Sequence, residues 1–542
     1  MNVEDVINQI YDRIESAPLN AVWISLVPRE QALRQSATPG PLHGMAFAVK
    51  DNIDVAGLPT TAACPAFSYL PEGTAFAVQR LLNAGAVLIG KTNMDQFATG
   101  LVGTRSPYGA CHSVFDNRYI SGGSSSGSAI AVASGLVRFA LGTDTAGSGR
   151  VPAAFNNIVG LKPSRGLIST SGVVPACRSL DCVSILAANL EDASAVLAVA
   201  QGFDASDPFS RKPQAFASAK PTRYGVPTQL EFFGNSEYER LYWEKVDALK
   251  QAGATIVNFN LAPFLEAASL LYNGPFVAER FAAVGEFAKS NAAGMDPVVA
   301  SIILGSEKYT AAEAYAAMYR LAAIKRVSEL LWEQIDLMLL PTAPTTYTIE
   351  QVRHDPVRLN ANLGYYTNFV NLLDLCAVAI PAGFTSQGLP FGVSLIAPAF
   401  HEDVLLNRQT SGIELAVVGA HLTDQPLNFQ LTERAATLIR TAKTTPDYKL
   451  FALTNTKPQK PGLIRVPGFE GPGMEVEIWS LSEEAFGSFV AAIPPPLGIG
   501  TCQVSDGSSV KGFICEPYAV EGMPEITRFG GWRNYLQSKT TL

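Results

Sequence analysis

Near the start of the chain, apolar residues recur at Val3, Val6, Ile7, Ile10, Tyr11 and Ile14, a spacing that puts them on one face of a helix. Residues 45–49 form instead an unbroken apolar run, which predicts a buried strand carrying Lys50 at its carboxyl end, where open α/β sheets place their sites. The pattern next predicts a helix over 74–82 capped by Thr74, a stop at Gly85, and a buried strand over 86–89. Helix, glycine and strand return over 238–257, with Gly253 as the stop, as αβ units of one sheet would. Residues 262–331, rich in Ala, Glu, Leu and Tyr, predict several helices over that sheet, and 336–340 predict another buried strand. Past about residue 410 the texture changes. Pro458, Pro461, Pro467 and Pro472 punctuate short alternating runs, and Asp506-Gly507 predicts a hairpin turn between 501–504 and 510–515. The reading is an α/β domain over 1–410 and a smaller α+β domain over 411–542.

Composition narrows the functional classes. Hydrophobic residues make up 47% of the 542 and charged residues 16%, which suits a folded enzyme and excludes a disordered chain. A net charge of -8 argues against a nucleic-acid partner. The seven cysteines form no CxxC pair and no zinc spacing, so no metal is expected. Their odd number, an acidic amphipathic start, and Arg138 interrupting the most apolar stretch predict a soluble cytoplasmic protein that does not engage a membrane.

Two Gly/Ser clusters hold the candidate chemistry: Ser121-Gly122-Gly123-Ser124-Ser125-Ser126-Gly127-Ser128 and Gly142-Thr143-Asp144-Thr145-Ala146-Gly147-Ser148-Gly149-Arg150. Each precedes a predicted helix, and Pro152 fits only in a first helical turn. Small residues let the backbone turn tightly, so the amides of Thr145, Ala146, Gly147 and Ser148 could converge as an oxyanion hole. A serine hydroxyl needs a base, and none of the five histidines lies in these clusters. A buried, neutral Lys50 could serve, with Ser124 relaying the proton of a Ser148 nucleophile. Either cluster alone also reads as an ordinary turn, with Lys50 reaching solvent; the three features together favour catalysis.

The segments Val49-Lys50-Asp51-Asn52, 122–127 and 142–153 resemble the amidase signature family over roughly residues 1–400. The resemblance implies a mixed central β-sheet covered by helices, with Lys50 as catalytic lysine, Ser124 as the serine after a cis peptide, and Ser148 as nucleophile. Gly149 stands where many members carry a larger residue. Segment 271–280 and the C-terminal extension resemble the allophanate-hydrolase branch, which implies Gly123, Tyr272 and Arg280 as substrate-binding residues for a small anionic amide. A guanidinium matches a planar carboxylate with two parallel hydrogen bonds. The branch further implies no cofactor, a homodimer, neighbouring enzymes of urea or s-triazine (cyanuric acid) degradation, and hydrolysis of allophanate to ammonia and N-carboxycarbamate. His421 matches a second-domain histidine linked to decarboxylation of that product; a packing role for it, and an assembly role for its domain, stay equally open. Without the resemblance, Arg280 reads as a surface partner of Glu279. The alternatives are another hydrolase of a small carboxylated amide, or an ammonia-supplying amidotransferase subunit, against which Arg280 and the appended domain count.

Three further matches are set aside on context. Residues 85–92 satisfy GxxxxGK[ST], but the intervening residues form an apolar strand and not a phosphate-cradling loop. Ser125 centres a GxSxG without an apolar strand before it, and Ser508-Ser509-Val510-Lys511 fits SxxK within the predicted hairpin.

Overall fold

In the computed structural model, residues 2–16, 20–214, 221–406, 413–434, 436–454, 456–481 and 483–540 are described. They separate into two compact units, one running to 213 and over 221–406, the other from 413 onward. The expected boundary at 410 lies outside the described residues.

The apolar runs of the larger unit become a single eleven-stranded sheet. In chain order its strands are β1 (Trp23–Leu26), β2 (Ala46–Lys50), β3 (Val87–Thr92), β4 (Phe139–Asp144), β5 (Val159–Lys162), β6 (Cys182–Ala187), β7 (Arg223–Pro227), β8 (Thr255–Phe259), β9 (Leu337–Pro341), β10 (Leu375–Phe384) and β11 (Pro390–Pro398). Their spatial order is β1-β3-β2-β4-β6-β5-β10-β11-β9-β7-β8. β2 runs parallel to β3 and β4, whereas β4 and β5 pair with β6 antiparallel, so the sheet is mixed. β2, β3 and β4 are buried end to end, as strands covered on both faces must be.

Helices cover the sheet. The Val3–Ser16 helix turns Ile7, Ile10 and Tyr11 inward. The helix expected to start at Thr74 begins instead at Phe76, with Ala75 at its N-cap and no side-chain cap, while the Thr74 hydroxyl accepts the Ala56 N–H at 3.1 Å. Residues 262–331 form the helices Ala262–Tyr272, Ala278–Asn291, Pro297–Gly305 and Ala311–Trp332, the last opened by a Thr310–Glu313 capping box. The GxxxxGK[ST] match falls on β3. Its amides pair with β1 and β2, and Lys91 is buried 3.3 Å from the Asp51 carboxylate.

The smaller unit contains β12 (Ile413–Val417), β13 (Thr437–Lys443), β14 (Tyr448–Leu453), β15 (Lys460–Arg465), β16 (Glu475–Leu481), β17 (Leu497–Gln503) and β18 (Ser509–Cys515). Five form a sheet in the order β13-β16-β12-β18-β17, and β14 pairs with β15. Leu415, Val417, Ile478, Phe513 and Trp532 pack in its own core. Asp506-Gly507 turns the β17–β18 hairpin, with Gly507 at φ +89°, so Ser508 and Lys511 of the SxxK match belong to that hairpin.

Candidate active site

β2 and β4 are parallel neighbours, so Lys50 and the pair Thr143-Asp144 arrive at the same end of the sheet. Lys50 is completely shielded from water. Its Nζ lies 2.7 Å from Ser124 Oγ, 2.7 Å from Thr143 Oγ1 and 3.5 Å from Thr143 O. Burial pushes its pKa down to about 7; Asp95, Asp144 and Asp181 oppose the fall, and Arg280 adds to it. An amine in this place is therefore substantially neutral near neutral pH.

The first Gly/Ser cluster is shaped by close packing. A Cβ on Gly123 would sit 2.1 Å from an Asp95 carboxylate oxygen, so only glycine fits. The Gly123–Ser124 peptide bond is cis. Asp95 also accepts the amides of Val102, Gly103 and Arg105 at 3.0–3.1 Å, holding the adjoining loop against the cluster.

The second cluster folds around Asp144. Its carboxylate accepts the amides of Gly147 at 2.8 Å and Gly149 at 3.1 Å, and pairs with Arg150 through Nε and Nη2, both at 2.9 Å. Burial, the largest single influence, raises the Asp144 pKa, but Arg150 together with Lys162 and the Gly147 amide holds the carboxyl below its ordinary value. The helix that follows is Arg150–Phe155, with Gly149 at its N-cap and Pro152 in its first turn. Of the four amides expected as oxyanion donors, Gly147 is thus committed to Asp144. Those of Thr145, Ala146 and Ser148 have no acceptor among the described residues. Ser148 is 4% exposed, and its carbonyl accepts the Ser125 N–H at 3.2 Å, which joins the two clusters. A side chain on Gly149 would meet Ser184 Oγ at 2.5 Å, which accounts for the glycine there.

Arg280 projects from the Ala278–Asn291 helix and is 2% exposed. It donates to Thr99 Oγ1 at 2.8 Å and to Tyr272 OH at 3.0 Å, while its Nε is buried without a partner. No carboxylate forms an ion pair with it among the described residues, and Glu279 accepts the Ser179 N–H and hydroxyl instead. A surface pairing of Arg280 with Glu279 is therefore ruled out. Thr99 and Tyr272, the partners of Arg280, also line a cavity of about 560 Å³.

His421 lies in the smaller unit. It stacks on Phe513 at 5.0 Å, meets Phe489 edge-on at 5.2 Å, and pairs through Nε2 with Gln430 Oε1 at 2.9 Å. Burial pushes its pKa below the ordinary histidine value.

Residues 5–406 match the family described as Amidase, and residues 413–537 match the allophanate hydrolase C-terminal domain. The chain belongs to the amidase family. Among amidase relatives, the Saccharomyces cerevisiae urea amidolyase is 42% identical over 98% of this chain. This chain spans only 32% of the length of that protein. A Kluyveromyces lactis allophanate hydrolase structure superposes with a TM-score of 0.76 at 42% identity, covering 99% of this chain and 97% of that one. A glutamyl-tRNA(Gln) amidotransferase protein of Methanosarcina mazei is 33% identical, the match covering 75% of this chain and 92% of that one.

Several groups around this amidase centre were not found from the sequence. Thr143, the second partner of Lys50, is hidden inside a strand; the charged pair Asp144 and Arg150 within one Gly-rich loop was the only local hint of that loop's organiser. Asp181, whose carboxylate accepts the Thr145 hydroxyl at 2.5 Å, and Thr99, which holds Arg280, sit in unmarked contexts. Burial raises the Asp181 pKa.

Proposed function

We propose that this chain is an allophanate hydrolase acting by Ser-Ser-Lys amide hydrolysis. The observation that carries the reading is Arg280: a guanidinium shielded from water, with no carboxylate partner among the described residues, close enough to Lys50 to depress its pKa. A buried cation left in this state is costly unless a ligand anion completes it. Allophanate is a small planar amide that carries such an anion, and the full-length likeness to an allophanate hydrolase supports it.

In this reading the carboxylate docks on Arg280 and Tyr272, with Gly123 alongside, and the amide carbonyl lies at the Ser148 loop. Neutral Lys50 withdraws a proton through Ser124 as Ser148 Oγ attacks the carbonyl carbon. The oxyanion meets the free amides of Thr145, Ala146 and Ser148, one such donor typically lowering the barrier by about 3 kcal/mol. Return of the proton through Ser124 releases ammonia, and water then cleaves the acyl-enzyme by the same relay. The product, N-carboxycarbamate, goes on to carbon dioxide and a second ammonia. The ring stacking around His421 supports a packing role for that residue. A cytoplasmic homodimer completes the proposal. Ammonia release measured across allophanate, malonamate, glutamine and a fatty amide tests it: turnover should be greatest on allophanate, and preference for glutamine would replace this reading with that of an ammonia-supplying amidotransferase.

A further inference from the structure

Thr367 and Asn371 lie more than two hundred residues from the Ser148 loop in sequence, yet they hold its backbone. The Thr367 hydroxyl donates to the Ala146 carbonyl at 2.6 Å. Asn371 Nδ2 donates to the Asp144 carbonyl at 2.7 Å and to the Leu180 carbonyl at 2.9 Å. Arg150 closes the frame, donating from Nη2 to Thr367 O at 3.2 Å and to Asn371 Oδ1 at 3.4 Å. All of these side chains are buried. Thr367 also presses on the loop, since a Cβ on Gly147 would lie 2.3 Å from its hydroxyl oxygen.

The geometry has a directional consequence. A trans peptide is planar, with C=O and N–H pointing opposite ways. Pinning the Asp144 carbonyl to Asn371 turns the Thr145 N–H to the other side of the chain. Pinning the Ala146 carbonyl to Thr367 fixes the plane whose N–H bonds Asp144, and the Gly147 carbonyl, taken by the Val151 N–H at 2.8 Å, aims the Ser148 N–H. Donors that stabilise an oxyanion work only when their aim is set before charge develops.

We propose that Thr367 and Asn371 are positioning residues for the oxyanion-binding amides of the Ser148 loop: Asn371 turns the Thr145 amide directly, and Thr367 acts one step back, locking the Ala146–Gly147 plane on Asp144 and with it the approach of the chain to Ser148. The proposal rests on the amide-hydrolase reading above and adds two residues that act through the loop, without contact to substrate.

The test uses the full chain and two inhibitors. Malonate probes ground-state carboxylate binding, and methylboronic acid adds to a serine oxygen as a tetrahedral anion. Thr367→Val, of nearly the same shape but without the donor, should lower kcat for ammonia release by about 10- to 100-fold with KM within about twofold. Thr367→Ser should restore kcat to within about threefold of wild type. Inhibition by methylboronic acid should weaken in step with kcat while inhibition by malonate holds. Asn371→Ala leaves two carbonyls without a donor, so its thermal midpoint is measured beside the same pair of inhibition constants. An unchanged kcat in Thr367→Val, equal weakening of both inhibitors, or failure of the serine variant to recover would overturn the proposal. Wild-type turnover keeps the two readings apart: if another small amide is preferred over allophanate, the same comparisons are made on that amide.

Discussion

Lys50 and His421 are both buried bases whose pKa is pushed down by loss of water, but their surroundings differ in kind. Around Lys50 stand two hydroxyls at 2.7 Å, a loop with three amides that have no acceptor among the described residues, and a guanidinium that forms no ion pair among them. Around His421 stand one stacked and one edge-on aromatic ring and one amide oxygen, which engages one of its nitrogens. Desolvation therefore marks burial in both places. The proposed chemistry is tied to unspent hydrogen-bonding capacity, which among the described residues is found around Lys50 and not around His421.

The contrast can be broken or sharpened by experiment. Replacing Ser148 by alanine should cut ammonia release from allophanate by at least about 10⁴-fold with an unchanged unfolding midpoint; substantial residual turnover would move the nucleophile elsewhere. Lys50→Met, similar in length but unable to take a proton, should cost about 10³-fold in kcat. Arg280→Gln should reduce kcat/KM for allophanate by about 100-fold while sparing an uncharged short amide, and equal losses on both would remove its carboxylate role.

The pH profile is the next lever. In the proposed mechanism the neutral amine of Lys50 is the active form, and burial pushes its pKa down to about 7, so kcat/KM should level off above that pH and fall about tenfold per unit below it. An acid limb near the ordinary lysine value would mean that the amine is hydrated. The smallest effect is expected at the other base. His421→Phe should shift stability by about 1–2 kcal/mol in chemical denaturation and leave kcat within about twofold, because its contacts are mainly ring packing. A large loss of turnover there would erase the distinction between the two sites.

Much of this was legible in the chain. The apolar run ending at Lys50 became β2, and the glycine stops at Gly85 and Gly253, both at positive φ, separate helix from strand as read. Ser124 and Ser148 were visible because small residues at consecutive positions are an unusual local pattern. The failures share a cause. Thr74 does not cap its helix, which has Ala75 at its N-cap; its hydroxyl instead accepts the Ala56 amide, distant in sequence. The Gly147 amide, one of four expected donors, was diverted to Asp144 by the way the loop closes on Arg150. Thr99, Asp181, Thr367 and Asn371 carry no spacing or composition that sets them apart.

By itself the sequence determined the path of the backbone near the site: which runs are buried strands, where they end, and which turns demand glycine. These follow from hydrophobic periodicity and backbone sterics, which act over a few residues. Tertiary structure alone decided the proton affinity of Lys50, the burial of Arg280 without an ion-pair partner among the described residues, and the contacts of Thr367 and Asn371 with the Ser148 loop. Each is an electrostatic or hydrogen-bonding balance struck with groups far away along the chain, and removal of water makes that balance strong.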